Sequence, residues 1–196
     1  MVPTTEELLH ALTRTVSALS GTGIRFAVAG GCAVYARGGP ISQHDVDIFV
    51  KPSDTEAAVS ALADVGLRVG DPAEDWLSKV YDGDTLIDVI FRPNNREVTD
   101  ELLDRAQPLR IGPTLAPVVS GTDLMIDKLL VFDAHRLDLS PLLHIARDLR
   151  EQVDWAVVRT RTEQSPYARA FLGLLADLDI ADTGISNAGT DIEGAE

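Results

Sequence analysis

Hydrophobic and polar positions alternate between helical and strand spacing over the first part of the chain. Residues 5–19 carry leucine and valine at helical spacing, and Thr4 or Thr5 can cap the start of that helix. The run IRFAVAGG (24–31) predicts a buried strand that ends at two glycines, and CAVYARGG (32–39) predicts a short helix. After the irregular PISQ, HDVDIFV (44–50) predicts a second strand.

The pattern continues through a third helix and a hairpin into a helical half. A helix is predicted from Ser53 or Asp54 to about Val65, and the Asp-Gly turn at 82–83 predicts a hairpin over 77–91. Residues 92–121 contain four prolines and give no clear pattern. We then predict a helix capped by Thr122 that continues through DLMIDKLLVFDAHR, followed by helices at about 141–152, 154–162 and 166–178.

This order predicts an α+β fold, a mixed sheet with flanking helices followed by a C-terminal helical bundle. We assign residues 1–118 to an α/β core, 119–180 to the helical region, and 181–196, rich in Gly, Ser, Asn and Asp, to a disordered tail. The chain has no GxxxxGK[ST] and no GxGxxG motif, which excludes two common phosphate-binding designs.

Composition narrows the class of protein. No apolar run reaches the roughly 18 residues of a membrane span, and the N-terminus does not resemble a signal peptide. Cys32 is the only cysteine, so neither an intrachain disulfide nor a thiolate metal cluster is expected, and we predict a cytoplasmic protein without a membrane partner. A net charge of −14 counts against an extended nucleic-acid footprint, although arginines gather late in the chain.

Three aspartates in apolar strands are the strongest chemical signal. Asp45 and Asp47 are two residues apart in a predicted strand, so both carboxylates point to one face, where they repel each other unless a cation lies between them. Asp88 lies in a second apolar run, TLIDVIF. Although an aspartate at a strand end can also cap a turn or face water, three on adjacent strands predict a metal site for Mg²⁺ or Mn²⁺.

Other residues near this strand have a less specific signal. Gly30 and Gly31 allow a phosphate to approach the backbone at a helix start, but paired glycines are also common in turns. Ser42 can hydrogen-bond a phosphate or simply belong to a loop. Cys32 is interpreted as a small core residue, because no partner base is indicated, and His44 receives no role.

AGGCAVYARGGPISQHDVDIFV together with LIDVIF resembles the DNA polymerase β-like nucleotidyltransferase superfamily. The resemblance covers about residues 24–91 and rests on Gly-Gly, a helix, paired aspartates and a third acid on a later strand. The stretch DLMIDKLLVFDAHRLDLSPLLHI looks like the helix region of the AbiEii and MenT toxin-type branch. That similarity implies nucleotide contacts for Lys128, Arg136 and Asp138, although Lys128 can equally be a solvated helix lysine.

The resemblance implies an enzyme that transfers NMP from an NTP to an acceptor hydroxyl. Asp45, Asp47 and Asp88 would hold the metal ions, Gly30, Gly31 and Ser42 would contact the triphosphate, and Lys128 would neutralise it. The branch implies RNA, above all tRNA, as acceptor and a cognate antitoxin as partner. One departure is Gln43, which stands where the toxins usually have Ser or Thr.

The sequence leaves two alternatives to nucleotidyl transfer to RNA open. The first is nucleotidyl transfer to a small molecule, of the aminoglycoside or lincosamide kind, or to a protein, and the acidic net charge favours a cationic acceptor. The second is a non-catalytic member that only binds nucleotide; the presence of all three acids argues against it.

Overall fold

The structure is a computed structural model that describes residues 3–41, 44–71 and 74–184. Its centre is a seven-stranded mixed sheet in the order β3-β4-β5-β2-β1-β7-β6. The strands are β1 (Phe26–Val28), β2 (Asp45–Val50), β3 (Arg68–Val69), β4 (Leu77–Asp82), β5 (Thr85–Ile90), β6 (Gln107–Ile111) and β7 (Thr114–Val118). β5 pairs with β2, and β1 with β7, in parallel, while the other neighbours are antiparallel.

Eight α-helices surround this sheet in the described part of the chain. They are α1 (Thr5–Ser20), α2 (Gly30–Ala36), α3 (Thr55–Asp64), α4 (Asp100–Asp104), α5 (Gly121–Leu130), α6 (Ser140–Leu149), α7 (Trp155–Arg161) and α8 (Pro166–Asp177). Short 3-10 turns lie at Pro52–Asp54, Pro93–Asn95 and Arg150–Gln152. The α+β architecture predicted from the pattern is therefore confirmed.

The two faces of the sheet are covered differently. Helices α1 and α3 pack on one face, where Val46 and Ile48 of β2 are fully buried. The opposite face carries α2 and α5, and α5 in turn packs against α6, α7 and α8. Because side chains alternate along a strand, the aspartates of β2 point to the face that α2 and α5 only partly cover.

Residues 107–118, which showed no clear sequence pattern, form a hairpin. Pro108 and Pro117 lie opposite each other in it, and Gly112 provides the turn with φ +56°. Proline is tolerated here because β6 is an edge strand and β7 meets β1 only at the Val28–Val118 pair. The missing backbone N–H of each proline therefore removes no hydrogen bond from a fully paired central strand.

Helix α5 is shorter than the sequence predicts, and its cap is a different residue. The side chain of Ser120, not Thr122, accepts the hydrogen bond from the Asp123 backbone N–H. The helix ends at Leu130, and the Asp133 carboxylate accepts hydrogen bonds from the backbone N–H groups of His135 (2.7 Å) and Arg136 (2.9 Å). This side-chain turn competes with continued helix, so the prediction of helix through residue 136 is wrong.

Among the described residues, no helix combines the length and apolar character needed to cross a membrane.

Candidate active site

The three predicted aspartates converge at the centre of the sheet. Asp47 and Asp88 are direct neighbours in the parallel register of β2 and β5, and Asp45 lies two residues before Asp47 on the same face. One carboxylate oxygen from each of the three lies within 4.8 Å of the others. The parallel pairing, which sequence alone does not show, brings the third acid beside the first two.

Glycine at position 30 makes room for the central carboxylate. Gly30 has φ +54°, and a Cβ built there would lie 1.6 Å from Oδ2 of Asp47. The backbone N–H of Gly31 donates a hydrogen bond to the Asp47 carboxylate. The glycine pair at the start of α2 therefore positions a site carboxylate directly, in addition to any role toward a phosphate.

The electrostatics of the three acids show a site with an excess of negative charge. Burial, followed by the charges of Asp45 and Asp88, raises the pKa of Asp47 to about 7. Burial and the charge of Asp45 raise the pKa of Asp88 to about 6, although Lys79 opposes that rise. The pKa of Asp45 is also raised, mainly by burial. A cation between the carboxylates would relieve their repulsion.

The donor set fits a hard divalent cation. Carboxylate oxygens are the ligands that Mg²⁺ and Mn²⁺ prefer. Oδ1 of Asp88 is buried and has no hydrogen-bond partner in the described part of the chain, an arrangement that costs free energy unless a ligand satisfies the oxygen. The three aspartates can therefore hold a metal ion.

Lys128 reaches the same site from α5. Burial lowers the pKa of its ammonium, and the carboxylates of Asp47 and Asp45 oppose that shift. It forms no ion pair or hydrogen bond with the residues that the structure describes. Lys128 lines the two cavities that flank the acids, so its charge is available to a ligand in either of them.

The first of these cavities, the Trp76 cavity, has a volume of about 460 Å³ and extends from Asp47 toward the carboxyl ends of β2 and β5. Its apolar wall includes Phe49, Ile90 and the half-buried Trp76. Its polar lining residues are Asp47, Arg92, Asn94, Asn95, Asp127, Lys128 and Arg136.

The second cavity, the His144 cavity, lies on the Asp45 side of the site and has a volume of about 820 Å³. Gly30 and Gly31 form part of its wall next to Asp45 and Asp47. Residues of the loop before β2 and of α6 complete it, namely Pro40, Ile41, His44, Pro141, His144 and Ile145. Asp47, Gly30 and Lys128 line both cavities and therefore separate two adjoining binding spaces.

Asp127, the neighbour of Lys128 in α5, is held by residues that follow β5. Asp127 accepts a hydrogen bond from the Arg96 guanidinium, and the Asn94 side chain donates to its backbone carbonyl at 3.2 Å. Burial raises the pKa of Asp127 to about 6, against the opposing charge of Arg96. Asn94 and Asn95 have positive φ values of 51° and 59°, which asparagine tolerates better than most residues.

The structure places the remaining predicted residues as follows. Arg136 lies on the exposed turn after α5 and lines the Trp76 cavity. Asp138 is exposed, and its carboxylate accepts a hydrogen bond from the Ser140 backbone at the start of α6. Ser42 lies outside the described residues. Cys32 is 3% exposed, and burial raises its thiol pKa to about 12, consistent with the predicted core role.

Trp76, Arg92 and Asp127 were not predicted from the sequence as site residues. The first two stand beside elements that the sequence predicts: Trp76 directly precedes β4, and Arg92 follows the apolar run that contains Asp88. Asp127 stands next to Lys128, but its direction depends on the phase of α5. None has a motif around it, so only the tertiary arrangement of β4, β5 and α5 brings them to one cavity.

The profile of the family described as uncharacterised nucleotidyltransferase matches residues 4–177, and the chain belongs to that family. The protein is thus a nucleotidyltransferase by family and by fold, a class that uses NTP and a divalent metal. No curated protein sequence matches the chain with statistical significance.

Solved structures with the same fold include two proteins that bind antibiotics. The structure of ANT(2'')-Ia in complex with adenylyl-2''-tobramycin is 16% identical, with a TM-score of 0.58 over 87% of this chain and 99% of that one. The lincosamide antibiotic adenylyltransferase LnuA, lincomycin-bound, is 15% identical, with a TM-score of 0.52 over 78% and 100%. An antigenic nucleotidyltransferase-like protein from Paracoccidioides brasiliensis is 15% identical, with a TM-score of 0.54 over 90% of each chain. At these identities the likeness shows the fold alone.

Proposed function

We propose that this protein transfers NMP from a magnesium- or manganese-bound NTP to an acceptor hydroxyl. The observation that carries the proposal is the convergence of three carboxylates within 4.8 Å, one of them with a buried oxygen that lacks a hydrogen-bond partner. Asp45, Asp47 and Asp88 would hold the metal. The ion supplies charge neutralisation at the triphosphate and lowers the pKa of the acceptor hydroxyl.

The two cavities provide separate places for donor and acceptor. We assign the NTP to the His144 cavity, because Gly30 and Gly31 allow close approach of phosphates and the volume of about 820 Å³ can hold a nucleoside. Lys128 would neutralise triphosphate charge from the boundary between the cavities. The acceptor then occupies the Trp76 cavity, on the other side of Asp47.

The reaction is an in-line displacement at the α-phosphorus. The acceptor oxygen forms a bond to that phosphorus while the bond to the bridging oxygen breaks, and pyrophosphate leaves. The acceptor proton would pass to the Asp88 carboxylate, which lies beside Asp45 and Asp47 at the metal site. Asp45 and Asp47 would hold the cation that the donor phosphates bind, and Gly31 fixes Asp47 through its backbone N–H.

The acceptor itself has two candidate classes. The similarity of residues 123–145 to the AbiEii and MenT toxins supports RNA, especially tRNA, with a cognate antitoxin and a cytoplasmic setting. The fold likeness to ANT(2'')-Ia and LnuA supports a small molecule, since those proteins are described in complex with adenylyl-2''-tobramycin and bound to lincomycin. The organisation we propose assigns catalysis to residues 1–118 and acceptor choice to residues 119–180.

The proposed activity can be tested on the purified full chain with Mg²⁺ or Mn²⁺, each labelled NTP in turn, and acceptors from both classes. We expect label transfer to one class and a loss of at least about 100-fold in Asp47→Asn, which retains the shape of the side chain but not its charge. Asp64→Asn, an exposed change on α3, is the matched control. If isothermal titration shows no metal-dependent NTP binding, the proposed transfer from NTP is wrong.

A further inference from the structure

The Trp76 cavity contains cationic groups that the protein itself does not neutralise. Three basic residues line it, Arg92, Lys128 and Arg136, against two acids, Asp47 and Asp127. None of the three bases forms an ion pair with the described residues. Nε of Arg92 is also buried without a hydrogen-bond partner, an arrangement that is rare in folded proteins.

The two acids of the cavity are already engaged. Asp47 accepts from the Gly31 amide and belongs to the metal-binding set. Asp127 is paired with Arg96, which does not line the cavity. Lys128 is shared with the His144 cavity, where the donor triphosphate would use its charge. Arg92 and Arg136 therefore remain as two unpaired guanidinium groups on the acceptor side alone.

Two unpaired guanidinium groups beside an apolar wall define the chemistry of the ligand. A guanidinium group binds an oxyanion through paired N–H donors, and a phosphate is its strongest such partner. Trp76, Phe49 and Ile90 offer a flat apolar surface next to them. A polycation such as an aminoglycoside would instead bring like charge against Arg92, which costs free energy in a partly buried site.

We infer that the acceptor of this enzyme carries a phosphate close to the hydroxyl that is modified, and that Arg92, with Arg136, binds that phosphate. This inference rests on the proposed function and narrows its acceptor class. The phosphate can belong to a free phosphorylated sugar or to the last nucleotides of an RNA strand. In both cases the phosphate and the hydroxyl belong to one small unit that fits a cavity of about 460 Å³.

The test measures binding before activity. The full chain is loaded with Mg²⁺ and a non-hydrolysable NTP analogue, and titrated with four probes: ribose 5-phosphate, ribose, an RNA trinucleotide with a free 3′-hydroxyl, and tobramycin. We expect one phosphorylated probe to bind at least 10-fold more tightly than ribose and tobramycin. Arg92→Gln should remove that preference, while Arg161→Gln, the same charge change on an exposed part of α7, should retain it.

Several outcomes would overturn the inference while leaving the proposed function intact. They are tighter binding of tobramycin than of either phosphorylated probe, binding of neither phosphorylated probe, or an equal effect of Arg92→Gln on ribose. Weaker binding of the NTP analogue itself in Arg92→Gln would assign Arg92 to the donor instead. Arg92→Lys, which keeps the charge but not the paired donors, should bind with intermediate affinity, and matching thermal melts exclude misfolding.

Failure of the proposed function would look different. In that case the wild-type chain would not bind the NTP analogue in the presence of Mg²⁺, and Asp47→Asn would change nothing. If ribose 5-phosphate binds tightly and the RNA trinucleotide does not, the acceptor is a free phosphorylated compound. The opposite result identifies the end of an RNA strand.

Discussion

At the scale of single residues, the site depends on how closely the backbone of α2 approaches the Asp47 carboxylate. A side chain at position 30 would overlap Oδ2 of Asp47, and the positive φ of Gly30 adds backbone strain. These two costs differ in kind, because the strain reduces stability while the overlap displaces a ligand atom of the metal site. They can be separated by comparing glycines that share the strain but not the overlap.

Gly30→Ala is expected to remove metal-dependent NTP binding and to lower stability. The alanine Cβ would push the Asp47 carboxylate away from Asp45 and Asp88, so we expect a loss of at least about 100-fold in NTP affinity, the scale seen when a catalytic electrostatic group is lost. Isothermal titration with Mn²⁺ and a non-hydrolysable NTP analogue measures this directly.

Gly38→Ala is the matched control for this change. Gly38 has φ +91°, but no atom lies within 4 Å of a Cβ built there. We expect it to cost about 1–2 kcal/mol of stability through backbone strain while NTP affinity stays unchanged. Equal NTP affinity in both variants would show that Gly30 does not position Asp47.

The raised pKa values of Asp47 and Asp88 predict how pH affects the metal-free protein. The folded pKa values, about 7 and about 6, lie above the roughly 4 of an unfolded carboxyl. The folded state therefore holds extra protons, and the stability that they contribute is complete below pH ~4 and lost as pH rises through these values. In the presence of EDTA, Tm should fall between pH 5 and pH 8.

Asp47→Asn should reduce this pH dependence, because an amide cannot ionise, while Asp88, whose pKa is raised mainly by burial and by Asp45, retains its own part of the dependence. At pH 8 without metal we expect its Tm to be about 5 °C above that of the wild type. Asp64→Asn should keep the wild-type profile, and Mg²⁺ or Mn²⁺ should raise Tm at pH 8 in the wild type and in Asp64→Asn but not in Asp47→Asn. A flat wild-type profile would contradict the raised pKa values that burial and mutual repulsion give these acids.

At the scale of elements, one buried arginine connects the site helix to the rest of the fold. Arg37, at the end of α2, is 7% exposed and donates from Nε to the Val119 carbonyl at 2.7 Å. Its guanidinium also donates to Gln107 and Gln152, and the Gln152 side chain donates back to the Arg37 carbonyl at 2.8 Å. Helix α2, strand β6 and the 3-10 turn after α6 are thus held together at one residue.

Arg37→Met should destabilise the fold without directly touching the aspartates. It would leave buried carbonyl groups without donors, and we expect a loss of about 3 kcal/mol in the free energy of unfolding. Arg147→Met, on the exposed side of α6, is the control and should change stability by less than about 0.5 kcal/mol. Urea denaturation followed by circular dichroism measures both. A loss for Arg37→Met as small as the control would remove its proposed connecting role.

Elements with local signals were predicted well from the sequence. The Asp-Gly turn identified the β4–β5 hairpin, and the Asp45–Asp47 spacing identified a strand with two acids on one face. Elements whose signals are non-local were missed. The prolines of residues 107–118 look incompatible with strands until the edge position of β6 is known, and the end of α5 depends on the side-chain turn at Asp133.

The residues of the candidate site also divide into those with a local signal in the sequence and those without one. Asp45 and Asp47 belong to a compact motif, so their spacing could be read directly, and Asp88 could be identified as an acid within a second apolar run. Most of the residues that line the Trp76 cavity come from β5, the segment before β4, the turn after β5, and α5. The parallel register of β2 and β5 brings the end of β5 beside Asp47. A charge balance inside a cavity depends on which groups are paired, and that pairing exists only in the folded chain.

At the scale of the whole molecule, the net charge of −14 opposes the approach of any anionic substrate. This field acts over about 30 Å at 10 mM salt and about 8 Å at 150 mM. The contacts of Arg92 and Lys128 inside their cavities are short and partly buried, so salt screens them less. Distant repulsion and local attraction therefore respond differently to ionic strength.

We expect kcat/KM for the magnesium-bound NTP to rise by about 2–5-fold from 10 to 150 mM KCl, because screening removes the long-range repulsion first. A phosphorylated acceptor should show the same rise. A polycationic acceptor such as tobramycin would show a fall, since the acidic surface attracts it at low salt. A fall for both NTP and acceptor would mean that the cationic cavity, and not the net charge, governs association. The sign of the acceptor's salt dependence, compared with that of the NTP, thus tests the charge of the acceptor.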